Sequence, residues 1–150
     1  MRISIALCTY NGAQYLAEQL LSIARQERLP DELVISDDRS HDETRQIAET
    51  FASDAAFPVR FYQNDNNVGS TRNFDNAIQL CSGDVIALCD QDDYWYPDKL
   101  AAIEEAFDHN AETGLVFSDA DVVDAERQPL GFTLWQSVRF DRHQQALASS

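Results

Sequence analysis

The stretch Asp84-Val85-Ile86-Ala87-Leu88-Cys89-Asp90-Gln91-Asp92-Asp93 decides how the rest of the chain is interpreted. Its first half is a continuous apolar run, which is typical of a buried strand in an α/β sheet. Its end carries three carboxylates, at the position where open α/β sheets bind ligands. Asp90 and Asp92 would face the same side of an extended backbone and could hold Mg²⁺ or Mn²⁺ together with a substrate phosphate. An acidic turn, or a helix N-cap before Pro97, is the alternative interpretation.

Apolar runs alternate with helical periodicity on both sides of this stretch. The pattern predicts further strands at residues 3–8, 32–36, 59–62 and 113–117. It predicts helices at 13–26, about 42–53, 70 to a cap at Gly83, and 98–109. Strict alternation of strand and helix favours a mainly parallel sheet between helices, with all strands ending at one edge. Beyond Glu126 the pattern weakens, and residues after Arg142 are expected to form a frayed or helical tail.

Composition narrows the classes of partner. The chain has 150 residues and a formal net charge of −15, which repels nucleic acids, so no nucleic-acid partner is expected. A nucleoside diphosphate would be repelled as well unless a cation mediates its binding. Three cysteines without a C-x-x-C pair indicate reduced thiols, and no run is long enough for a signal peptide or a bilayer span. We therefore expect a cytoplasmic protein, free or peripheral to the inner face of the membrane.

Four motifs in a fixed order resemble the nucleotide-binding half of family 2 glycosyltransferases, which have the GT-A fold. They are Ala6-Leu7-Cys8-Thr9-Tyr10-Asn11, Val34-Ile35-Ser36-Asp37-Asp38-Arg39-Ser40, Asn67-Val68-Gly69 with Arg72 and Asn73, and Asp90-Gln91-Asp92-Asp93 with Trp95, Pro97, Lys99 and Leu100. Arg39 stands where the family usually has glycine, which is expected to cost little because the side chain can point outward. The last motif most resembles bacterial rhamnosyltransferases of surface polysaccharide synthesis.

The resemblance implies a GT-A (Rossmann-like) fold of three α/β/α layers with a mainly parallel sheet, incomplete at its C-terminus. It implies a nucleotide-sugar-binding domain at 1–127. The extension at 128–150 would begin an acceptor-side region or form a tail. The apolar residues after Leu130 have few predicted partners, so self-association through this segment is expected.

The motifs also suggest individual roles. Asp38 can accept the N–H of a pyrimidine base, while Thr9 and Tyr10 can offer backbone contacts and a stacking face. Arg72 can bind phosphate, although a surface ion pair is the alternative, as turn formation and helix capping are for Asp37 and Asp38. The expected nucleotide-binding residues are Thr9, Tyr10, Asn11, Asp37, Asp38, Asn67, Gly69, Arg72 and Asp90. The expected ligands of Mn²⁺ or Mg²⁺ are Asp92 and, in support, Asp90.

The implied activity is transfer of a sugar, with inversion, from a UDP- or dTDP-sugar to a glycan or lipid-linked acceptor. A metal ion would assist departure of the nucleoside diphosphate. A carboxylate would act as general base, and the resemblance places it beyond residue 150. Asp119 and Asp121 are weaker candidates for that base, and a solvated turn is the plainer explanation of both.

Three alternatives remain at this point. A receiver domain of a response regulator shares paired aspartates at a strand end, but it needs a lysine after a late strand, and the only lysine, Lys99, begins a predicted helix. A nucleotidyltransferase usually carries a basic, glycine-rich loop after its first strand, whereas Thr9-Tyr10-Asn11-Gly12 has no basic residue. A fragment that binds nucleotide sugars without turnover is compatible with all four motifs.

Overall fold

The computed structural model describes residues 1–124 and 128–140. The chain forms two compact units, Met1–Ala111 and Glu112–Ser150. The first unit alternates strands and helices as the sequence predicts: β1 (Ile3–Thr9), α1 (Leu16–Ala24), β2 (Glu32–Asp37), α2 (Thr44–Asp54), β3 (Val59–Gln63), α3 (Ser70–Leu80), β4 (Val85–Asp90) and α4 (Lys99–Asp108).

The four strands of this unit form one parallel sheet in the order β3-β2-β1-β4. In the register of the sheet, Thr9 lies opposite Asp37, and Cys8 lies opposite Asp90. Asp37 in turn lies opposite Gln63 of β3. The carboxyl ends of all four strands therefore meet at one edge, as predicted.

Side chains that alternate along the strands build two cores. Ile3, Ile5 and Leu7 of β1 are fully buried in a cluster with residues of α1, α2 and α4. Ala6 and Cys8 face the other way and pack against α3. Burial of each large aliphatic side chain stabilises the folded state by roughly 1.5–3 kcal/mol. Because successive side chains of a strand point to opposite faces of the sheet, helices pack against both faces. The predicted three-layer α/β/α fold is confirmed.

The four helices of the first unit are short, between 9 and 11 residues each. Among the described residues, no helix has the length and apolar character needed to cross a bilayer. The predicted helix cap at Gly83 is wrong, because α3 ends at Leu80 with Cys81 as its C-cap. Gly83 instead lies against β1, where an added Cβ would come within 2.6 Å of Ser4 Oγ and 2.7 Å of Ser4 N.

The amino ends of the strands are tied together by Glu32, which is 6% exposed. Its Oε1 accepts hydrogen bonds from Ser4 Oγ and from the backbone and hydroxyl of Ser82, and Arg60 donates to its Oε2 at 2.6 Å. Burial opposes ionisation of Glu32, but the bonds from Ser4, Ser82 and Arg60 outweigh it and lower the pKa to about 2. The carboxylate therefore stabilises the fold as long as it stays ionised.

We predict that Glu32→Gln lowers the free energy of unfolding by ~2 kcal/mol at pH 7, as expected for a lost buried carboxylate with a lowered pKa. The wild-type contribution is present above about pH 4.5 and is lost as the pH falls towards 2. Urea titrations at several pH values should therefore converge for the two proteins in acid. Glu49→Gln is the matched control, because the Arg45–Glu49 pair is exposed and should contribute little. Parallel curves for wild type and Glu32→Gln down to pH 2 would contradict the assignment.

The second unit contains an antiparallel pair of strands, β5 (Asp121–Val123) and β6 (Pro129–Thr133), followed by α5 (Leu134–Ser137). Thr133 and Gln136 form a capping box at the start of α5. The strand predicted at 113–117 is wrong, because this segment has irregular backbone and exposes Leu115 and Phe117. An apolar run becomes a strand only when a neighbouring strand pairs with it, which periodicity cannot reveal. The tail predicted after Arg142 lies outside the described residues.

Candidate functional site

The carboxyl edge of the sheet carries the polar residues that the motifs predicted. Alternation along the strands places Thr9 and Asp37 on the face covered by α1 and α2, and Asp38 and Asp90 on the face covered by α3. Cys8 lies between these last two carboxyl groups. Burial, and then the charges of Asp90 and Asp38, raise the pKa of the Cys8 thiol to about 12. The thiol of Cys8 therefore stays protonated and unreactive at neutral pH. The carboxylates of Asp38 and Asp90 lie on the same face at the edge of the sheet.

Asp37 is fully buried and organises the edge from within. Its Oδ1 accepts a hydrogen bond from Thr9 Oγ1 at 2.8 Å and another from the Ser40 hydroxyl. Its Oδ2 accepts from the backbone of Ser40 at 2.9 Å and from Gln63 Nε2 at 2.8 Å. These bonds join the ends of three adjacent strands to the loop after β2.

Asp38 is 3% exposed and holds the loop at residues 64–69. Its Oδ1 accepts from the backbone of Val68 at 2.7 Å and from Asn64 Nδ2 at 2.9 Å, and its Oδ2 accepts from the backbone of Gly69 at 2.8 Å. Gly69 is the N-cap of α3 and has φ 84°, a conformation that glycine adopts without strain. Asp38 thus fixes the loop that leads into α3.

Arg39 adopts φ 65°, in the left-handed region. A non-glycine residue is strained there by roughly 1–2 kcal/mol, so the expectation that this departure costs little overlooked the backbone. The side chain does point outward, as expected, and it donates to the carbonyl of Asp65 at 2.7 Å and to Asn66 Oδ1 at 3.1 Å. Arg39 therefore offsets part of its strain by tying down the outer end of the 64–69 loop.

The loop after β1 is pinned through its own backbone. Asn11 N donates to Ser40 Oγ at 2.8 Å, Gly12 N to Thr44 Oγ1 at 2.8 Å, and Ala13 N to Asp42 Oδ2 at 3.0 Å. Burial disfavours ionised Asp42, but the bonds from Thr44 and Ala13 prevail and lower its pKa. The pinned backbone leaves the ring of Tyr10 48% exposed at the edge of the sheet.

The turn after β4 concentrates negative charge. Asp90, Asp92 and Asp93 are all exposed. Partial burial, and then the charges of Asp93 and Asp92, raise the pKa of Asp90. Burial likewise raises the pKa of Asp93, while the ammonium of Lys99 opposes the shift. Carboxylates that raise the pKa of a neighbouring carboxyl group also favour the binding of a cation.

The donor set of this turn fits Mg²⁺ or Mn²⁺. Both ions prefer carboxylate oxygens and usually complete their coordination with substrate phosphate and water. Within the described residues, no three histidine, cysteine, aspartate or glutamate side chains form a ready-made metal cluster. Asp90 and Asp92 would thus supply part of a coordination sphere that a phosphate ligand completes, and metal binding stays a prediction.

Sequence reasoning missed a buried polar row that begins on α1. Gln19 and Ser22 lie on the same face as the apolar residues of that helix, Gln26 follows two residues after its end, and all three are buried. Gln19 Nε2 donates to Cys89 Sγ at 2.8 Å, Ser22 Oγ accepts from the backbone of Trp95 at 3.2 Å, and Gln26 bonds the backbone of Tyr96 and Leu100. The row fixes the segment that follows the acidic turn. Its signal in the sequence was polar residues at helical spacing inside the apolar stripe.

The predicted site residues fall into two groups. Thr9, Asp37 and Asp38 are buried, with side chains that already bond within the chain. A second group is exposed at the edge: Tyr10, Asn11, Asn67, Gly69, Arg72, Asp90 and Asp92. Arg72 lies in the first turn of α3, and its side chain makes no hydrogen bond or ion pair with any described residue. The exposed group is therefore the part of the predicted set that a ligand can reach directly.

The two weaker candidates for a general base lie in the second unit. Asp119 Oδ1 accepts from the backbone of Ala120 at 2.9 Å and of Trp135 at 3.0 Å, at the start of α5. Asp121 begins β5 and is exposed. Asp119 thus has a structural task at a helix start, and neither residue is assigned to catalysis by its local geometry.

Comparison with known proteins decides the family. The sequence profile described as glycosyl transferase family 2 matches residues 4–148. The chain belongs to glycosyl transferase family 2. Membership confirms the resemblance inferred from the four motifs and excludes the receiver domain.

Two curated relatives in the family have assigned names. The chain is 35% identical over 114 residues to the abequosyltransferase RfbV of Salmonella typhimurium, which covers 75% of this chain and 34% of that protein. It is 35% identical over 119 residues to the dTDP-rhamnosyl transferase RfbG of Shigella flexneri, covering 77% of this chain and 38% of that protein. The predicted resemblance to rhamnosyltransferases is therefore confirmed, and the chain spans little more than a third of the length of these relatives.

Solved structures support the GT-A fold. A crystal structure of S. aureus TarS residues 1–349 in complex with UDP-GlcNAc matches 82% of this chain and 40% of that one, with a TM-score of 0.66 and 25% identity. The mannosyltransferase PcManGT from Pyrobaculum calidifontis, in complex with GDP-Man and Mn²⁺, matches 85% of this chain and 36% of that one, with a TM-score of 0.67 and 22% identity.

Proposed function

We propose that the protein is an inverting glycosyltransferase that moves a sugar from a UDP- or dTDP-sugar to a hydroxyl of a glycan or lipid-linked acceptor. The observation that carries the proposal is the shared sheet edge, where exposed carboxylates, an exposed aromatic ring and an exposed arginine follow neighbouring elements. Relatives named for transfer of abequose and rhamnose, and a structural neighbour holding UDP-GlcNAc, support this class of donor.

The donor nucleotide would lie along the ends of β1 and β2. The exposed ring of Tyr10 offers a stacking face for the base, which suits the planar surface of a pyrimidine. Asn11 and Asn67 add exposed amide groups beside it. Asp38 and Asp37 would act on the base mainly by fixing the loops that surround it, with Asp38 Oδ2 as the oxygen that can still accept an N–H from the ligand.

The diphosphate would lie between Asp90, Asp92 and Arg72. A divalent cation bound at the two carboxylates would neutralise charge that develops on the leaving nucleoside diphosphate. Arg72 has no partner among the described residues, so its guanidinium is available for bidentate contact with a phosphate. In a protein with a formal net charge of −15, these groups would supply the local attraction that an anionic donor needs.

Inversion would follow from direct attack of the acceptor hydroxyl on the anomeric carbon, through an oxocarbenium-like transition state. The attack requires a carboxylate that takes the proton of the hydroxyl. Asp119 and Asp121 are the candidates for this role among the described residues.

The proposal is tested by calorimetry with UDP, dTDP and GDP, each in Mg²⁺, in Mn²⁺ and in EDTA. We expect UDP or dTDP to bind in the presence of either cation and GDP to bind more weakly. Arg72→Ala should lower the affinity for the nucleoside diphosphates and leave the affinity for the free nucleosides unchanged. Arg25 is also exposed, and Arg25→Ala should change neither affinity. Absence of nucleotide binding under every condition would overturn the proposed function.

We predict that this chain alone hydrolyses or transfers the donor sugar slowly, because Asp119, one of the two candidates for the general base, already accepts hydrogen bonds from the backbone of Ala120 and Trp135. We further predict self-association through the segment after Leu130, since Leu130, Phe132, Leu134 and Val138 are 41–63% exposed. A donor-hydrolysis and transfer assay beside light scattering measures both. Rapid transfer by a monomer would contradict both expectations and make Asp119 and Asp121 the candidates for the base.

A further inference from the structure

Gln91 stands between Asp90 and Asp92 in the acidic turn, and its side chain reaches the loop after β1. Its Oε1 accepts from the backbone N–H of Tyr10 at 2.9 Å, and its Nε2 donates to the carbonyl of Tyr10 at 3.2 Å. A side-chain amide carries the same donor and acceptor as a peptide group. Gln91 therefore joins two loops as an additional rung of a sheet ladder would.

Gly12 makes room for this contact. A Cβ added at Gly12 would lie 2.1 Å from Gln91 Oε1 and 2.7 Å from Gln91 Cδ. The side chain of Gln91 thus fills the concave side of the turn formed by residues 10–12. The other side of the same turn is pinned by Ser40 and Thr44, so the turn cannot simply move away if Gln91 is displaced.

This contact has a consequence for a ligand that spans both loops. A nucleoside diphosphate would touch Tyr10 with its base and Asp90 and Asp92, through the cation, with its phosphates. Such a ligand gains the full benefit of both contacts only when the two loops are held at a fixed separation. Gln91 is the described side chain that bonds the turn of residues 90–93 directly to Tyr10.

We propose that Gln91 is a positioning residue that couples nucleoside binding at Tyr10 to cation binding at Asp90 and Asp92. The inference rests on the proposed function, because it takes a nucleoside diphosphate as the ligand of this edge. The amide of Gln91 increases the gain in nucleotide affinity that the cation provides, although it contacts neither the nucleotide nor the cation.

Gln91→Met tests the claim, because methionine keeps the length of the side chain and removes both hydrogen bonds. We expect the affinity for UDP in Mg²⁺ to fall about tenfold, the size of a typical coupling between sites. The affinity in EDTA, where the carboxylates cannot contribute, should change little. A merely structural role would weaken both affinities equally. Gln79→Met is the matched control, since within the part of the chain that the structure describes the amide of Gln79 bonds only the side chain of Asp75 on the surface of α3.

Gly12→Ala provides a second variant that displaces Gln91 from the opposite side and leaves its side chain intact. It should reproduce the loss in Mg²⁺, and the double variant should lose little more, because both changes break one contact. Amide hydrogen exchange gives a readout that needs no activity. In the wild type, UDP with Mg²⁺ should slow exchange at the Tyr10 amide about fivefold, and in both variants it should not.

The outcomes separate this inference from the proposed function. A wild-type protein that binds no UDP in any cation removes both. Wild-type binding of UDP with the same dependence on Mg²⁺ in Gln91→Met and Gly12→Ala overturns the coupling and leaves the proposed function standing. If Gln91→Met fails to fold, as shown by its thermal transition, Gly12→Ala and the exchange of the Tyr10 amide decide the question.

Discussion

Removal of divalent cations should weaken UDP binding by about a hundredfold, which corresponds to ~2.7 kcal/mol. The physical reason is charge. The acidic turn places Asp90, Asp92 and Asp93 together, and the charges of the last two raise the pKa of the first. A diphosphate that approaches these carboxylates without a cation meets repulsion in a chain that already carries a formal net charge of −15. Calorimetry in Mn²⁺, Mg²⁺ and excess EDTA measures the difference.

Asp92→Asn should remove most of this dependence on the cation while leaving the thermal transition unchanged, because the side chain is exposed. Asp54→Asn is the matched control. It makes the same change in net charge at the exposed end of α2, remote from the carboxyl ends of the strands. Equal affinity of the wild type for UDP with and without a cation would contradict the prediction that a metal ion mediates nucleotide binding. Equal loss in Asp92→Asn and Asp54→Asn would show that net charge, and not ligation, governs binding.

The strands and helices of the first unit could be predicted because their burial pattern is periodic. Ile3, Ile5 and Leu7 alternate with residues that face α3, and Leu16, Leu20 and Ile23 recur at helical spacing, as the structure confirms. The segment at 113–117 shows the limit of such reasoning. It is apolar and β-branched enough for a strand, but whether a strand forms depends on a pairing partner that is distant in sequence.

The sequence predicted where the candidate site lies, but it did not predict which of its side chains are bound within the chain and which are exposed to a ligand. The structure places the residues of the four motifs at or near the carboxyl edge of the sheet, and their roles stay predictions. The motifs did not show that Asp37 and Asp38 already accept hydrogen bonds from Gln63, Asn64, Val68 and Gly69. Hydrogen-bond partners 26 to 31 residues away are fixed by tertiary structure. The positive φ of Arg39 was hidden for the same reason, since only the path of the folded loop requires it.

Asp38→Asn should lower the free energy of unfolding by about 3 kcal/mol. The substitution replaces a buried carboxylate that accepts charge-assisted hydrogen bonds by an amide with only one acceptor oxygen. The amide nitrogen of the new side chain would face a backbone N–H of Val68 or Gly69 wherever the carboxylate now accepts. Two donors would then oppose each other at a site that is 3% exposed. Urea titration measures the loss, and hydrogen exchange at Val68 and Gly69 locates it.

The same substitution should weaken UDP binding by about 10- to 100-fold, which corresponds to roughly 1.4–2.7 kcal/mol, the scale of a hydrogen bond to a charged group. If Asp38 also accepts the N–H of the base through Oδ2, ribose 5-phosphate, which has no base, should be affected less than UDP. Asp65→Asn is the matched control, since it makes the same charge change at an exposed side chain of the same loop. Unchanged unfolding and an unchanged thermal shift with UDP in Asp38→Asn would refute both the loop anchor and the contact with the base. Equal weakening of UDP and ribose 5-phosphate would retain the anchor and remove the base contact, because a displaced 64–69 loop acts on the whole ligand through Gly69 and α3.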